Sequence, residues 1–385
     1  MSTRLQPSAV LVLILDDLHW ADDGSLDPMQ HLVSAGRDLP LLLLCAARPE
    51  LLECRPGWGH AWPAHRLLEL LVLGTHDRQT LAHSLLQKLG QDPDAKLLRQ
   101  LLIDRTEGNP FYMEALLQML MDQGVLLTST TPWQLVPQGL QNLQVPHTLV
   151  GVLRARLDAL VVPQRRALQQ ASVVGAVFWG DTLASLDARA PSELQALCQR
   201  ALALPHEQRA FRDTQEFAFC HHLLHEVTYG TVLKRDKREQ HERAALWLEA
   251  RSSGRGAEFA GLIAEHFERA GILDRAAEHW ALAAQEAAKR HADRAALAHA
   301  DRALALDTDK HPQRQLALLR VPTAAGRKRM LMRAALDGED GPVGLAEQQD
   351  TASPIFLASR LVDVVPEATA NRSLKRGATE AGTHR

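Results

Sequence analysis

The sequence predicts a mainly α-helical protein with a small α/β region near its N-terminal end. Leu, Ala, Arg, Gln and Glu, which favour helix, dominate the 385 residues, whereas aromatic residues make up only 4%. Two unbroken apolar runs lie within the first fifty residues, and amphipathic patterns with helical spacing follow from Thr75. The length is sufficient for two or three domains.

The apolar run over residues 10–15 is typical of a strand that is buried on both faces of a sheet. A predicted helix, SLDPMQHLVSAG, separates it from a second run, LPLLLLCAARPE (39–50). Strand, helix and strand in about forty residues form a βαβ unit, which makes the two strands parallel. The segment RLLELLVLG (66–74) fits either a third strand or a helical turn.

The helical part divides into several segments. Amphipathic helices fill residues 75–128, and Asn109 is a predicted N-cap with Pro110 at the first helical position. Residues 128–145 are predicted to form a loop or a small wing, and 145–250 a second helical domain. RSSGRG (251–256) is the clearest linker.

Alanine-rich helices are predicted over residues 257–310. The offsets of Gly271, Ala276, Trp280 and Ala283 resemble a tetratricopeptide (TPR) helix pair, and an ordinary antiparallel helical hairpin is the alternative. Residues 337–385 are rich in Gly, Asp, Thr, Ser and Pro and are predicted to be disordered.

Composition also restricts the function classes. The net charge is −3 and the isoelectric point is near 6.7, so nucleic acid and anionic membranes are not indicated as partners. The four cysteines form no C-x-x-C pair, and no apolar stretch reaches the roughly 18 residues of a membrane span. These features predict a cytoplasmic protein.

Asp16 and Asp17 directly follow the first predicted strand. Open α/β sheets bind ligands at the carboxyl ends of their strands, and an apolar run followed by acids is typical of a Walker B element. In such an element one acid holds Mg²⁺, usually through water, and the next can polarise the attacking water. The alternative is a polar strand end that meets solvent and caps the next helix.

Five segments together resemble the signal-transduction ATPases of the STAND class, which include the AAA-like ATPase region of soluble adenylyl cyclases and of large LuxR-type transcriptional regulators. The segments are LDDLHWADDGSL, LLLLCAARPE, RTEGNPFYMEALLQML, VPHTLVGVLRARLDAL and FAFCHHLLHEVTYG. The resemblance implies ATP and Mg²⁺ as cofactors, with Asp16 at the metal, Asp17 and Arg48 in catalysis, and Asn109 and Pro110 in nucleotide binding.

The resemblance also assigns the domains. Residues 1–74 correspond to an α/β remnant, a partial P-loop NTPase parallel sheet with the Walker B and sensor strands. Residues 75–128 correspond to a helical lid, 145–250 to a winged-helix-like domain and 257–310 to TPR-like helices.

One departure from the family changes the expected activity. Its members begin with a P-loop, G-x-x-x-x-G-K-[ST], whose backbone N–H groups and lysine cradle the phosphates. This sequence contains no Gly-Lys dipeptide. We therefore expect an ATPase module truncated before Walker B, with weak or absent ATP hydrolysis by this chain alone. Without the P-loop strand, residues 67–73 are expected to pair with residues 41–45 in a three-stranded parallel sheet.

Two function hypotheses follow. The first is a regulatory ATPase module, adenylate cyclase-like or transcriptional regulator-like, in which ATP binding and hydrolysis switch helical output domains. The second is a non-enzymatic protein–protein interaction scaffold that has lost ATP chemistry. Either would bind protein partners through the TPR-like helices, and self-association is a further expectation.

Three charged or histidine-rich patterns favour structural roles. His221 and His225 in HHLLHE share the spacing of a metal pair, but no third ligand is evident and a packed helix face is the favoured interpretation. The mixed-charge run KRDKREQHER is predicted to be a solvated helix face. Arg154 and Arg156 are predicted to lie on the surface.

Overall fold

The computed structural model describes most of the chain between residues 10 and 306. The described residues are 10–21, 23–36, 40–60, 62, 64–89, 93–129, 132–136, 139, 144–206, 210–211, 213–252, 254–290 and 292–306. The tail that the sequence predicts to be disordered, 337–385, lies outside them. The described residues divide into two compact units, one of 10–67 and 287–298 and the other of 68–286 and 299–306. We call the described residues 10–67 the α/β unit, and 68–286 together with 299–306 the helical unit.

The α/β unit contains the predicted βαβ arrangement. Its elements are β1 (Leu11–Leu15), α1 (Asp23–Ala35), β2 (Leu41–Cys45) and α2 (Glu50–Cys54). The two strands pair in parallel, from Leu11 opposite Leu41 to Leu15 opposite Cys45. The parallel pair and its helical crossover are therefore confirmed.

The two faces of this small sheet are covered unequally. Side chains at alternate positions point to opposite faces of a strand, and here both sets are apolar. Val12, Ile14, Leu42 and Leu44 share one face and are 37–56% exposed. The half-buried positions Leu15 and Cys45 pack against a small core of Leu18, Leu26 and Leu51.

The expected third strand is absent. Residues 66–74 adopt neither strand nor helix, and the described sheet consists of β1 and β2 alone, so the predicted pairing of 67–73 with 41–45 is wrong. Leu70 is 94% exposed. At the end of the segment, the Leu73 N–H donates to the Gly108 carbonyl at 2.9 Å, which fixes this end of the segment to a turn between two helices instead of to a sheet.

Together with a 3₁₀ helix over Ala190–Glu193, the helical unit is built from the remaining strands and α-helices. In chain order they are α3 (Thr75–Leu85), α4 (Pro93–Arg105), α5 (Pro110–Asp122), β3 (Leu126–Leu127), β4 (Gln134–Leu135), α6 (Leu149–Asp158), α7 (Val162–Val174), β5 (Val177–Trp179), α8 (Gly180–Leu186), α9 (Leu194–Gln199), β6 (Ala203–His206), β7 (Glu216–Phe219), α10 (His222–Thr231), α11 (Lys234–Arg251), α12 (Gly256–Ala270), α13 (Leu273–Lys289) and α14 (Asp293–Leu306). The last two helices extend across the boundary between the units. The mainly helical fold class is confirmed.

Two short antiparallel sheets complete this unit. β3 lies at the end of the stretch predicted to be helical (75–128), β4 lies in the region predicted as a loop or small wing (128–145), and the two form a two-residue ladder. β5, β7 and β6 form a three-stranded sheet in that order. One continuous core of buried side chains extends from Ala82 to Ala276. None of the described helices combines the length and apolar character that crossing a membrane requires.

The prediction that Arg156 lies on the surface is wrong. This residue is 3% exposed, whereas Arg154 is exposed as predicted. Residue 156 is one helical turn from the buried Leu153, so its side chain enters the core. Its Nε donates to Asp122 Oδ2 at 2.9 Å and its Nη2 donates to the Arg200 carbonyl. A buried guanidinium is tolerated because these acceptors compensate it.

Candidate functional site

The predicted acidic edge lies at the carboxyl end of the β1–β2 pair. Asp16 and Asp17 follow β1 directly, and Arg48 comes three residues after β2. The strand ends are joined by backbone hydrogen bonds, from the Ala46 N–H to the Leu15 carbonyl at 2.8 Å and from the Leu18 N–H to the Ala46 carbonyl at 3.0 Å. Because the strands are parallel, the three charged residues follow the same edge of the sheet. All three are exposed.

Asp17 has an unusual backbone conformation. Its φ of 53° and ψ of 35° are left-handed, and its N–H donates to Asp16 Oδ1 at 2.9 Å. Residues other than glycine rarely adopt this conformation, although aspartate and asparagine tolerate it better than most. Such outliers concentrate at functional sites, where the surrounding structure maintains them. The conformation turns the chain sharply after the two acids and leads into a short 3₁₀ helix, Leu18–Trp20.

His19 is a neighbour of the acids that the sequence did not single out. Its side chain is 6% exposed, and its Nδ1 lies 4.0 Å from Asp17 Oδ1. The only sequence signal was its position two residues after the acid, which does not distinguish a packing role from a functional one. At this separation the two side chains are neighbours and are too far apart for a hydrogen bond.

The edge offers a limited set of metal ligands. Among the described residues no group of three or more His, Cys, Asp or Glu side chains is arranged to hold a metal ion. Mg²⁺ nevertheless often binds through one or two carboxylates, completing its octahedron with water and substrate phosphate oxygens. Two adjacent exposed carboxylates, Asp16 and Asp17, fit that mode and would not form a closed protein cage.

Asn109 and Pro110 belong to the helical unit and begin α5 as predicted. The Asn109 side chain accepts a hydrogen bond from the Tyr112 N–H at 3.1 Å, and Pro110 occupies the first helical turn. The preceding Gly108 has a φ of 85°, and an added Cβ there would lie 2.5 Å from the Leu73 carbonyl oxygen. The N-cap is confirmed, while a nucleotide contact by Asn109 or Pro110 stays a prediction.

The start of α5 makes a ring stack and a hydrogen bond with residues that are distant in the sequence. Phe111 stacks on His221 with ring centroids 3.7 Å apart, and the Tyr112 hydroxyl donates to the Pro146 carbonyl at 2.9 Å. His221 precedes α10 and caps it, because its Nδ1 accepts from the Leu223 N–H at 3.0 Å. His225 lies within α10, with its Nε2 2.9 Å from the Ser172 carbonyl oxygen. Both histidines thus make the packing and capping contacts that the favoured interpretation of HHLLHE requires.

No family model matches the chain, and no curated protein matches it. Among solved structures, it is similar to a STAND protein (signal transduction ATPase with numerous domains) with a tetratricopeptide repeat sensor from Pyrococcus horikoshii. The identity is 13% and the TM-score 0.43, over 84% of this chain and 49% of the other, so the chain spans about half the length of that protein. A likeness of this size assigns no role to any residue.

Proposed function

We propose that the chain is a regulatory signalling module of the STAND type, whose α/β unit contributes an acidic edge for Mg²⁺–nucleotide and whose helical unit responds to it. The observation that carries this proposal is the position of Asp16, Asp17 and Arg48 at one edge of a parallel βαβ unit, with Asp17 in a left-handed conformation.

Each residue has a chemical role in this proposal. Asp16 would hold Mg²⁺, usually through water, and the ion would neutralise phosphate charge on the nucleotide. Asp17 would orient a water molecule for attack. Arg48 would donate to phosphate oxygens, where charge accumulates during phosphoryl transfer.

We expect weak nucleotide binding and slow ATP hydrolysis by this chain alone. The sequence contains no Gly-Lys dipeptide, hence no P-loop lysine within these 385 residues. Charge-assisted hydrogen bonds contribute about 1.5–3 kcal/mol each, so a site without a phosphate cradle loses most of its affinity. Two carboxylates also repel a triphosphate unless Mg²⁺ lies between them. We expect millimolar nucleotide binding and no ATP hydrolysis at rates typical of an intact ATPase.

Binding of Mg²⁺–ATP to residues 1–385 by titration calorimetry tests the proposal. We expect Asp16→Asn to weaken the Mg²⁺-dependent component tenfold or more. Asp158→Asn is the matched control, because Asp158 is an exposed carboxylate (side chain 77% exposed) in the helical unit and should leave binding unchanged. Equal binding by the wild type and Asp16→Asn would remove the assignment of the acidic edge. Rapid Mg²⁺-dependent phosphate release that Asp17→Asn abolishes would overturn the expectation of weak hydrolysis.

A second candidate function, a non-enzymatic interaction scaffold, is favoured by the way α12, α13 and α14 are joined. Glu268 on α12 accepts from Trp280 Nε1 at 3.0 Å and from Arg302 Nε at 2.9 Å, and Trp280 stacks on His299. This network connects three consecutive helices through their own side chains. The scaffold hypothesis predicts that self-association, measured by sedimentation equilibrium, is the same for the wild type and Asp16→Asn and does not change with Mg²⁺–ATP.

A further inference from the structure

Two buried histidines meet at the contact between α11 and α12. His241 is 1% exposed and His266 is 4% exposed, and their Nδ1 atoms lie 2.8 Å apart. Both helices belong to the helical unit, and they are consecutive in the chain. The pair is remote in sequence from the acidic edge and has no role in the proposed function.

The distance requires a particular protonation state. An N–H···N hydrogen bond forms when one Nδ1 carries a proton and the other presents its lone pair. A single extra proton on one ring leaves that bond possible but places a charge in the core. Protons on both rings turn two Nδ1–H donors toward each other, and the hydrogen bond is lost.

The surroundings of the pair oppose added charge. From α10, the Tyr229 hydroxyl lies 3.0 Å from His241 Nε2. Lys237 of α11 and Arg269 of α12 lie over the Tyr229 ring, at 3.9 and 5.9 Å from its centroid. From α7, the Val174 carbonyl acts on His266 and favours its protonated form. Among the described residues, the other side chains whose charge acts on the two rings are positive.

The pKa values follow from this environment. Burial first, then the neighbouring positive charge, lowers the pKa of His241 from 6.5 to about 3 and that of His266 from 6.5 to about 4. Because both values are depressed in the folded protein, the neutral pair stabilises the contact fully above pH 6.5. That stability is lost as the pH falls from 6.5 through 4 toward 3. Each pH unit below 6.5 shifts the equilibrium from the closed contact toward an open form by up to about tenfold per ring, or about 100-fold for the pair.

We propose that the contact between His241 and His266 is an acid-sensitive joint that holds α12 against α11 while both rings are neutral and opens when both take up protons. This inference goes beyond the proposed function and does not depend on nucleotide binding. It describes a conformational device at the contact between the last long helix before the RSSGRG linker and the first TPR-like helix.

Hydrogen exchange of the full chain between pH 7.5 and 4.5, corrected for the intrinsic exchange rates, tests the joint. We expect the protection of peptides from α11 and α12 against exchange to fall steeply below pH 6.5, by up to about 100-fold per pH unit. The protection of α5 should change much less. The double variant His241→Met with His266→Met should lose this steep dependence. His76→Gln with His83→Gln removes two exposed histidines of α3 and should leave it intact. The same pH dependence in the wild type and in the Met variant would overturn the proposal.

A measurement on the unmodified protein keeps the test independent of whether the double variant folds. In ¹⁵N-histidine-labelled protein at pH 6.5, we expect nitrogen–nitrogen coupling between the two Nδ1 atoms and chemical shifts of neutral rings. Titration of either ring with an ordinary midpoint near 6.5, without that coupling, would show that the shared hydrogen bond does not exist.

Discussion

The α/β unit and the helical unit contain similarly apolar segments but bury them to different extents. Every residue of β1 and β2 is apolar, yet Ile14 is 56% exposed and Leu42 is 54% exposed. Helix α5 buries seven of its thirteen residues in the continuous core. A helix satisfies its own backbone and needs neighbours on one stripe, whereas a parallel strand needs strands at its edges and layers on both faces. Stability is therefore concentrated in the helical unit and candidate chemistry in the thinly packed α/β unit.

The charged residues of the two units also differ in how far they are buried. In the helical unit, Arg156 and Asp122 are buried and paired, which serves packing. In the α/β unit, Asp16, Asp17 and Arg48 are exposed at the end of the sheet, where a ligand could reach them. Burial of a charge with its partner serves packing, whereas the exposed charges at the carboxyl end of the sheet are accessible to the ligand that we propose.

Removal of the buried guanidinium should have the largest effect. Arg156→Ala removes the 2.9 Å partner of the buried Asp122 and leaves it the longer 3.9 Å ion pair with Arg200 Nε. Breaking a buried pair costs about 3–5 kcal/mol in the free energy of unfolding. Denaturant unfolding followed by circular dichroism measures the loss. Arg166→Ala is the control, because the ion pair of Arg166 with Asp187 at 3.5 Å is exposed on the arginine side and contributes below about 1 kcal/mol. Equal losses in the two variants would contradict the contrast between buried and exposed charges.

A pair of leucine truncations compares the two units directly. Leu116→Ala removes a fully buried side chain of α5 and should cost about 2–5 kcal/mol. Leu44→Ala truncates a side chain of β2 that is 53% exposed and should cost less than about 1 kcal/mol. Hydrogen exchange of α5 amides and of β2 amides reports the two local stabilities. A cost for Leu44→Ala as large as that for Leu116→Ala would mean that the exposed sheet face is covered in solution.

The features predictable from sequence are those set by local pattern. The apolar runs and their spacing are sufficient for the parallel β1–β2 pair, and the parallel topology brings Asp16, Asp17 and Arg48 to one edge. The start of α5 follows from Asn109 and Pro110, whose capping preferences depend on nearby backbone alone.

The features that the sequence did not reveal depend on distant partners. An apolar run at residues 66–74 does not reveal whether a neighbouring strand exists, and Leu73 instead bonds to Gly108, 35 positions further along. Arg156 is buried because Asp122, 34 positions earlier, compensates its charge. The left-handed conformation of Asp17 has no reliable local signature, since aspartate adopts it only occasionally.

The smallest expected effect concerns that conformation at the acidic edge. Asp17→Gly removes the Cβ that makes φ of 53° unfavourable and also removes one of two adjacent negative charges, so we expect a gain of about 0.5–1 kcal/mol in local stability. Exchange of the Leu18 amide, which donates to the Ala46 carbonyl, reports this region. Asp16→Gly is the matched control, because residue 16 lacks a positive φ and loses the acceptor for the Asp17 N–H, so it should destabilise. Asp17→Asn separates charge from conformation, since it removes the carboxylate and keeps a side chain that tolerates the left-handed region. If Asp17→Gly destabilises as much as Asp16→Gly, the left-handed turn carries no strain, and the outlier ceases to mark the acidic edge as a functional site.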